Sequence, residues 1–199
     1  MTLRILTLLI LTLVPLYAPA QETATEQLER GIRQSYSTLQ TLTCSYTLTR
    51  KVAMLEDVAQ EKGTLTYSKP QRTLILANTT ADSTIISPTG ITTVKDGRRQ
   101  TINPMRNTAM RQMMDIITAC FSGNFSAIRQ SGHLTATNTG PTTIVTFTPT
   151  DRRAMRHFSS ILLTFGNDDY GLRQMTVSQK GGDFLSYSFG KKKSNIGKL

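Results

Sequence analysis

The chain has 199 residues, with 23 Lys+Arg against 13 Asp+Glu and a formal net charge of +10. That length supports one domain with a real core and not two comfortable ones. Aromatics at 7%, no Trp and two Cys exclude a disordered acidic tail, a disulfide-dense miniprotein and a multi-span membrane protein. Thr is abundant, at 32 residues. Its β-branched side chain suits the half-wet face of a strand, so composition tilts towards an antiparallel β protein.

The first twenty residues have three parts. Arg4 supplies positive charge, Ile5 to Leu16 is an apolar run, and Ala18-Pro19-Ala20 fits the small-x-small rule for cleavage. Residues 1–20 therefore read as a secretory signal peptide. The run is shorter than the roughly 20 residues a membrane span needs. No Cys near the cleavage site invites lipid attachment, and the expected mature chain is exported with a charge of +9. It is read as one domain over residues 21–190 followed by a basic, mobile tail at 191–199.

Thr23 to Leu39 is predicted to be a helix. Thr23 and Glu26 have capping-box spacing, and Leu28, Ile32, Tyr36 and Leu39 form one apolar stripe. Thr41 to Lys51 switches to period two, with Leu42, Cys44, Tyr46 and Leu48 on one face and Thr or Ser on the other. Further strands are expected at Gly63–Ser68, Arg72–Asn78, Ser83–Ser87, Ile91–Lys95 and Arg99–Ile102, with a hairpin at Asp96-Gly97. Asn107 to Phe121 then has helical spacing of Met110, Met113, Met114, Ile117, Cys120 and Phe121, stopped by Ser122-Gly123-Asn124. A short apolar turn is expected at Phe125–Ile128. Strands return at Leu134–Asn138, Thr142–Thr148, Phe158–Phe165, Leu172–Gln179 and Phe184–Phe189. The fold class is mainly β with two or three helices: about ten antiparallel strands in a curved sheet or open barrel, whose apolar face only the amphipathic helices can cover as a lid.

The order of these residues resembles the periplasmic outer-membrane lipoprotein carriers, the LolA-like proteins. Gly63-Thr64-Leu65-Thr66-Tyr67-Ser68-Lys69-Pro70-Gln71-Arg72 matches the family's Gly-aromatic-Pro-Arg strand pair. Ile85-Ile86-Ser87-Pro88-Thr89-Gly90 resembles its next hairpin, Phe147-Thr148-Pro149 a later strand, and Ile161 to Phe189 its last three strands. The resemblance implies an unclosed β-barrel with a helical lid over an apolar cavity that holds lipoprotein acyl chains. It also implies cargo received from an inner-membrane ABC-type complex and handed to an outer-membrane receptor, with no cofactor, by a monomer. Arg72 is followed here by Thr73 rather than the family's usual aromatic residue, which bears on cargo more than on fold.

The candidate wall residues are Leu42, Tyr46, Leu48, Leu65, Tyr67, Leu74 and Leu76, with Met110, Met113, Met114 and Ile117 on the lid and Met105 just before it. From the residues alone they either line a cavity or pack a closed core. Met-rich helices serve both purposes. By resemblance Arg72 holds the lid helices through hydrogen bonds to their backbone and acts as a switch; otherwise it is a solvated edge residue. Cys44 and Cys120 are either bonded, tying lid to barrel, or two free buried thiols.

Other classes fit less well. His133 and His157 stand apart from one another, without metal-ligand spacing and without a nucleophile elbow or phosphate loop, so no catalytic residue, metal site or cofactor is expected. Asp168-Asp169 reads as a solvated hairpin. The basic residues fall in three clusters, Arg98-Arg99, Arg152-Arg153 with Arg156, and Lys191 to Lys193, rather than one stripe, and export argues against nucleic acid. A lipid-binding sensor, or a carrier of a non-lipoprotein envelope lipid, is the alternative function.

Overall fold

The computed structural model describes residues 22–54, 58–103 and 107–196. The expected signal peptide and Met105 lie outside the described residues.

Helix α1 spans Ala24–Ser35. Six strands follow: β1 (Leu39–Lys51), β2 (Val58–Ser68), β3 (Thr73–Asn78), β4 (Ser83–Ser87), β5 (Gly90–Lys95) and β6 (Arg98–Ile102). Helices α2 (Thr108–Ser122) and α3 (Ser126–Ser131) come next. The chain ends in β7 (Gly132–Asn138), β8 (Thr142–Pro149), β9 (Ser160–Gly166), β10 (Leu172–Ser178), β11 (Phe184–Phe189) and β12 (Lys193–Ile196). Among the described residues the strands form one antiparallel sheet in the order β6-β5-β4-β3-β2-β1-β11-β10-β9-β8-β7, with β12 on β1. The edges β6 and β7 do not pair with each other, so the barrel is unclosed, as expected.

The sheet is two meanders joined back to back. The first runs outward from β1 to β6 and the second inward from β7 to β11; β1 and β11 pair from Tyr46↔Phe189 to Lys51↔Phe184. Between the far edges the chain must cross the concave face, and it does so as α2 and α3. Asn107 caps α2 by accepting the Met110 N–H at 3.2 Å, and Gly123 ends it at φ 64. The Thr23–Glu26 capping box of α1 forms as its spacing predicts.

The helices fill half of the concave face. Phe125, Ile128, Leu28 and Ile32 are fully buried in the same core as Val145, Phe147, Ile161, Leu163 and Phe165 of β8 and β9. At the far end of α2, Phe121 stacks on Tyr67 of β2 at 4.1 Å between ring centroids and tilts against Tyr36. The N-terminal half of α2 is less enclosed, with Met110, Met113 and Met114 only half-buried.

Three local expectations are corrected. Helix α1 stops at Ser35 rather than Leu39, because Leu39 already pairs with Ile196 as the start of β1, and the Lys69 ammonium takes the Tyr36 and Ser37 carbonyls at 2.6 and 2.8 Å. Strand β2 starts at Val58 rather than Gly63; its first five residues pair with Thr47–Lys51 but are all exposed, so they carry no alternating pattern. The tail is not free over its whole length. Lys193–Ile196 pair with the start of β1, and Lys192 lies largely buried, with 11% of its side chain exposed.

Gly123 carries the turn between α2 and α3. A Cβ there would lie 2.5 Å from the Glu29 carbonyl oxygen, in a left-handed backbone. Gly123→Ala is therefore expected to lower stability by about 1–3 kcal/mol. Urea denaturation checks this, and an unchanged midpoint would show that the helix junction is slack.

Candidate functional site

Where α1 and α3 do not reach, the concave face stays open. A cleft of about 430 Å³ lies between β4–β5 and β10–β11 under the N-terminal half of α2. Ile86 and Ile91 form one wall, Met175, Val177 and Leu185 the other, and Met110, Met113 and Ile117 the roof. Leu76, Thr84, Thr93 and Tyr187 belong also to a second section of about 310 Å³, between β1–β2 and β4–β5. That section is polar, bordered by Arg50, Glu61, Asp82 and Lys95. Both volumes fall in the range of small-molecule sites.

Of the expected wall residues, Leu76, Met110, Met113 and Ile117 line the apolar section. Tyr46 and Leu48 line the polar one. Leu65 and Leu74 border a void of about 30 Å³ beneath Phe121, Leu42 and Leu65 one of about 10 Å³ beside Lys192, and Leu74 also reaches the groove along α2. Tyr67 and Met114 flank a separate groove of about 190 Å³ along α2. The strand-face prediction is thus divided: part of that face is packed core and part is open wall. Sequence reasoning missed Ile86, Ile91, Met175, Val177, Leu185 and Tyr187. All stand on strands it had placed, but which strands face each other depends on how the sheet curls.

The lid is held by groups other than the expected one. Arg72 lies in the β2–β3 turn at φ 51, exposed, and borders the groove beside Met114 and Asp115. Among the described residues it makes no hydrogen bond to a helix. Its turn conformation aims the strand pair, and Lys69, three residues earlier, reaches the helix backbone instead. A second clamp joins α1 to the α2–α3 junction. Glu29 accepts from the Phe125 N–H at 3.3 Å and pairs with Arg129 at 2.8 Å, while Arg33 donates to the Gly123 carbonyl at 2.6 Å.

Cys44 and Cys120 are both buried and free; the bridge between them is not formed. Burial pushes the Cys120 thiol up to about 12, and burial raises Cys44 too, against the Lys192 charge. Asp168 and Asp169 are tied by Arg173 at 2.7 and 3.0 Å, in keeping with a solvated hairpin rather than a cation site. Among the described residues no three metal-ligating side chains converge. No described helix is long and apolar enough to cross a membrane.

An unclosed barrel whose helices roof an apolar cleft is an architecture for holding an apolar ligand. Residues 37–197 match the family model described as outer membrane lipoprotein carrier protein LolA, and the chain belongs to that family. Its members are carriers, and the chain is not an enzyme. No curated protein matches it. Among solved structures it is similar to a conserved protein from Thermus thermophilus, at 6% identity and TM-score 0.52, covering 88% of this chain and 90% of that one. It is also similar to a DUF1329 family protein from Desulfovibrio piger, at 10% identity and TM-score 0.50, over 88% and 94%. A LolA superfamily protein from Nitrosomonas europaea aligns at 10% identity and TM-score 0.44, over 89% and 95%. At such identities the likeness concerns the fold alone.

The contacts around the lid and the thiols can each be tested. Lys69→Ala, which frees two helix-end carbonyls, is expected to cost about 1–2 kcal/mol, while Arg72→Leu stays within about 0.5 kcal/mol; equal effects in thermal denaturation would contradict this assignment. Both thiols are expected to resist a thiol reagent at pH 8 in the native protein, because little thiolate forms at raised pKa. In denaturant two thiols should react; none reacting there would reveal a bridge.

Proposed function

We propose that the mature chain is a periplasmic carrier that takes acyl chains of lipoproteins into the apolar cleft and moves them from the inner to the outer membrane. The observation that supports this reading is the 430 Å³ apolar section roofed by half of one helix, in a member of the carrier family. Burying one methylene stabilises a complex by about 0.8 kcal/mol, so a chain lying along Ile86, Ile91, Val177 and Leu185 binds usefully even when partly inserted.

Opening follows from how α2 is anchored. Its C-terminal end is fixed by the Phe121–Tyr67 stack and the Arg33–Gly123 bond, so entry requires its Met-bearing N-terminal half to lift and the Gln112–Ser131 bond to break. Met110 and Met113 are flexible thioethers that repack around chains of different length. Release reverses this motion at a membrane or receptor. The family resemblance supports an inner-membrane ABC-type complex as donor and an outer-membrane receptor as acceptor, with the protein acting as a monomer. The signal-peptide pattern of residues 1–20 supports the periplasm as location. A carrier of a non-lipoprotein lipid is the second reading, favoured by the charged section that continues the cleft.

The test is mass spectrometry of organic extracts from the purified protein, beside displacement of a fluorescent alkyl probe. Co-purified acyl lipid and competitive displacement are expected. Leu76→Trp, which fills the passage shared by the two sections, should weaken probe binding at least ten-fold with the fold intact. No lipid and no probe binding would overturn the carrier reading.

A further inference from the structure

The polar section of the cleft has an ordered distribution of charge. The β1–β2 wall contributes Arg50 and Glu61, and the opposite wall contributes Lys95 from β5 and Asp82 from the turn before β4. Each wall thus presents one cation and one carboxylate to the same space.

The two signs are held differently. Glu61 accepts the Tyr46 hydroxyl at 3.1 Å, and Asp82 accepts the Asp96 N–H at 3.0 Å, so both carboxylates are fixed in place. Arg50 and Lys95 form no ion pair among the described residues. This section also shares Leu76 and Tyr187 with the apolar section, so a ligand lying in one has its end in the other.

We propose that the polar section receives the head group of a phospholipid-type amphiphile, one bearing a phosphate and an ammonium. Arg50 and Lys95 take the phosphate, a match for a forked guanidinium and a point ammonium. Glu61 and Asp82 take the ammonium, and the acyl chain lies under Met110 and Met113. A purely anionic head would meet two carboxylates, and an uncharged acylglycerol would pair with none of the four, three of which are exposed. The inference rests on the second reading of the same cleft, a carrier of a non-lipoprotein lipid, and specifies that cargo's polar end.

The test uses three single-chain probes of equal acyl length, namely lysophosphatidylethanolamine, lysophosphatidylglycerol and monoacylglycerol. Each displaces an uncharged alkyl dye from the purified mature protein, at low and at high salt. The ethanolamine lipid is expected to bind about ten-fold more tightly than the acylglycerol, and more tightly than the glycerol phosphate lipid, with the advantage shrinking in salt. The pair Arg50→Gln with Lys95→Gln should erase that advantage, as should Glu61→Gln with Asp82→Asn, while acylglycerol affinity stays the same in both. Equal affinity for the three heads, or equal affinity for the two phosphate lipids, overturns the proposal while leaving the acyl cleft standing. Failure of all three to displace the dye overturns the carrier reading as well. Unchanged urea midpoints in the variants exclude a folding defect as the cause.

Discussion

The structure depends on one connection. Strand β6 ends at one edge of the sheet and β7 begins at the other, and the chain between them must cross the concave face. A polypeptide crossing an apolar surface has to satisfy its own backbone groups, and a helix does so internally. Helices α2 and α3 therefore lie where a lid is needed because topology leaves them no other route. The same connection leaves the barrel unclosed, since the edges it joins do not pair.

Helical cover is unequally shared between the two halves of the sheet. Helices α1 and α3, with the Glu29–Arg129 clamp, fill the face of β8 and β9 with fully buried Phe and Ile side chains. Only the Met-rich first half of α2 stands over β4–β5 and β10–β11. One half of the molecule is a conventional close-packed core that provides stability. The other half carries an apolar surface that its own side chains do not fill, which is what a carrier of apolar chains requires. A single helix serves both, fixed at Phe121 and loosely covered at Met110.

Most of the fold is legible in the residues. The period-two runs at Thr41–Lys51 and Thr142–Thr148, the Asp96-Gly97 turn and the Asn107 to Phe121 stripe each carry their own physical signal, and each forms close to its expected bounds. What failed had no local signal. Val58–Lys62 and Lys193–Ile196 are strands because a partner was free on β1, not because their side chains alternate. Half of the cleft lining is legible as well. Leu76, Met110, Met113 and Ile117 face the cleft as their patterns suggest, but the opposite wall, Val177 and Leu185, is set by sheet curvature acting between segments far apart in the chain. The resemblance points to Arg72 at the helix end, whereas Lys69, at the start of the turn, places its ammonium 2.6 and 2.8 Å from the Tyr36 and Ser37 carbonyls.

The pairing of β1 with β11 fixes the order in which the molecule can be completed. A chain synthesised from its N-terminus presents β1 to β6 first, with the edge of β1 bare until β11 and β12 arrive at the very end. Helix α1 is in the same position, since its partners are α2, β7 and β8. The first half therefore waits as an open edge, the kind of surface on which unfinished sheets associate with one another. Its long-range closure makes folding slow for a domain of this size. The Thr and Ser residues that alternate along β1 keep one face of that waiting strand polar.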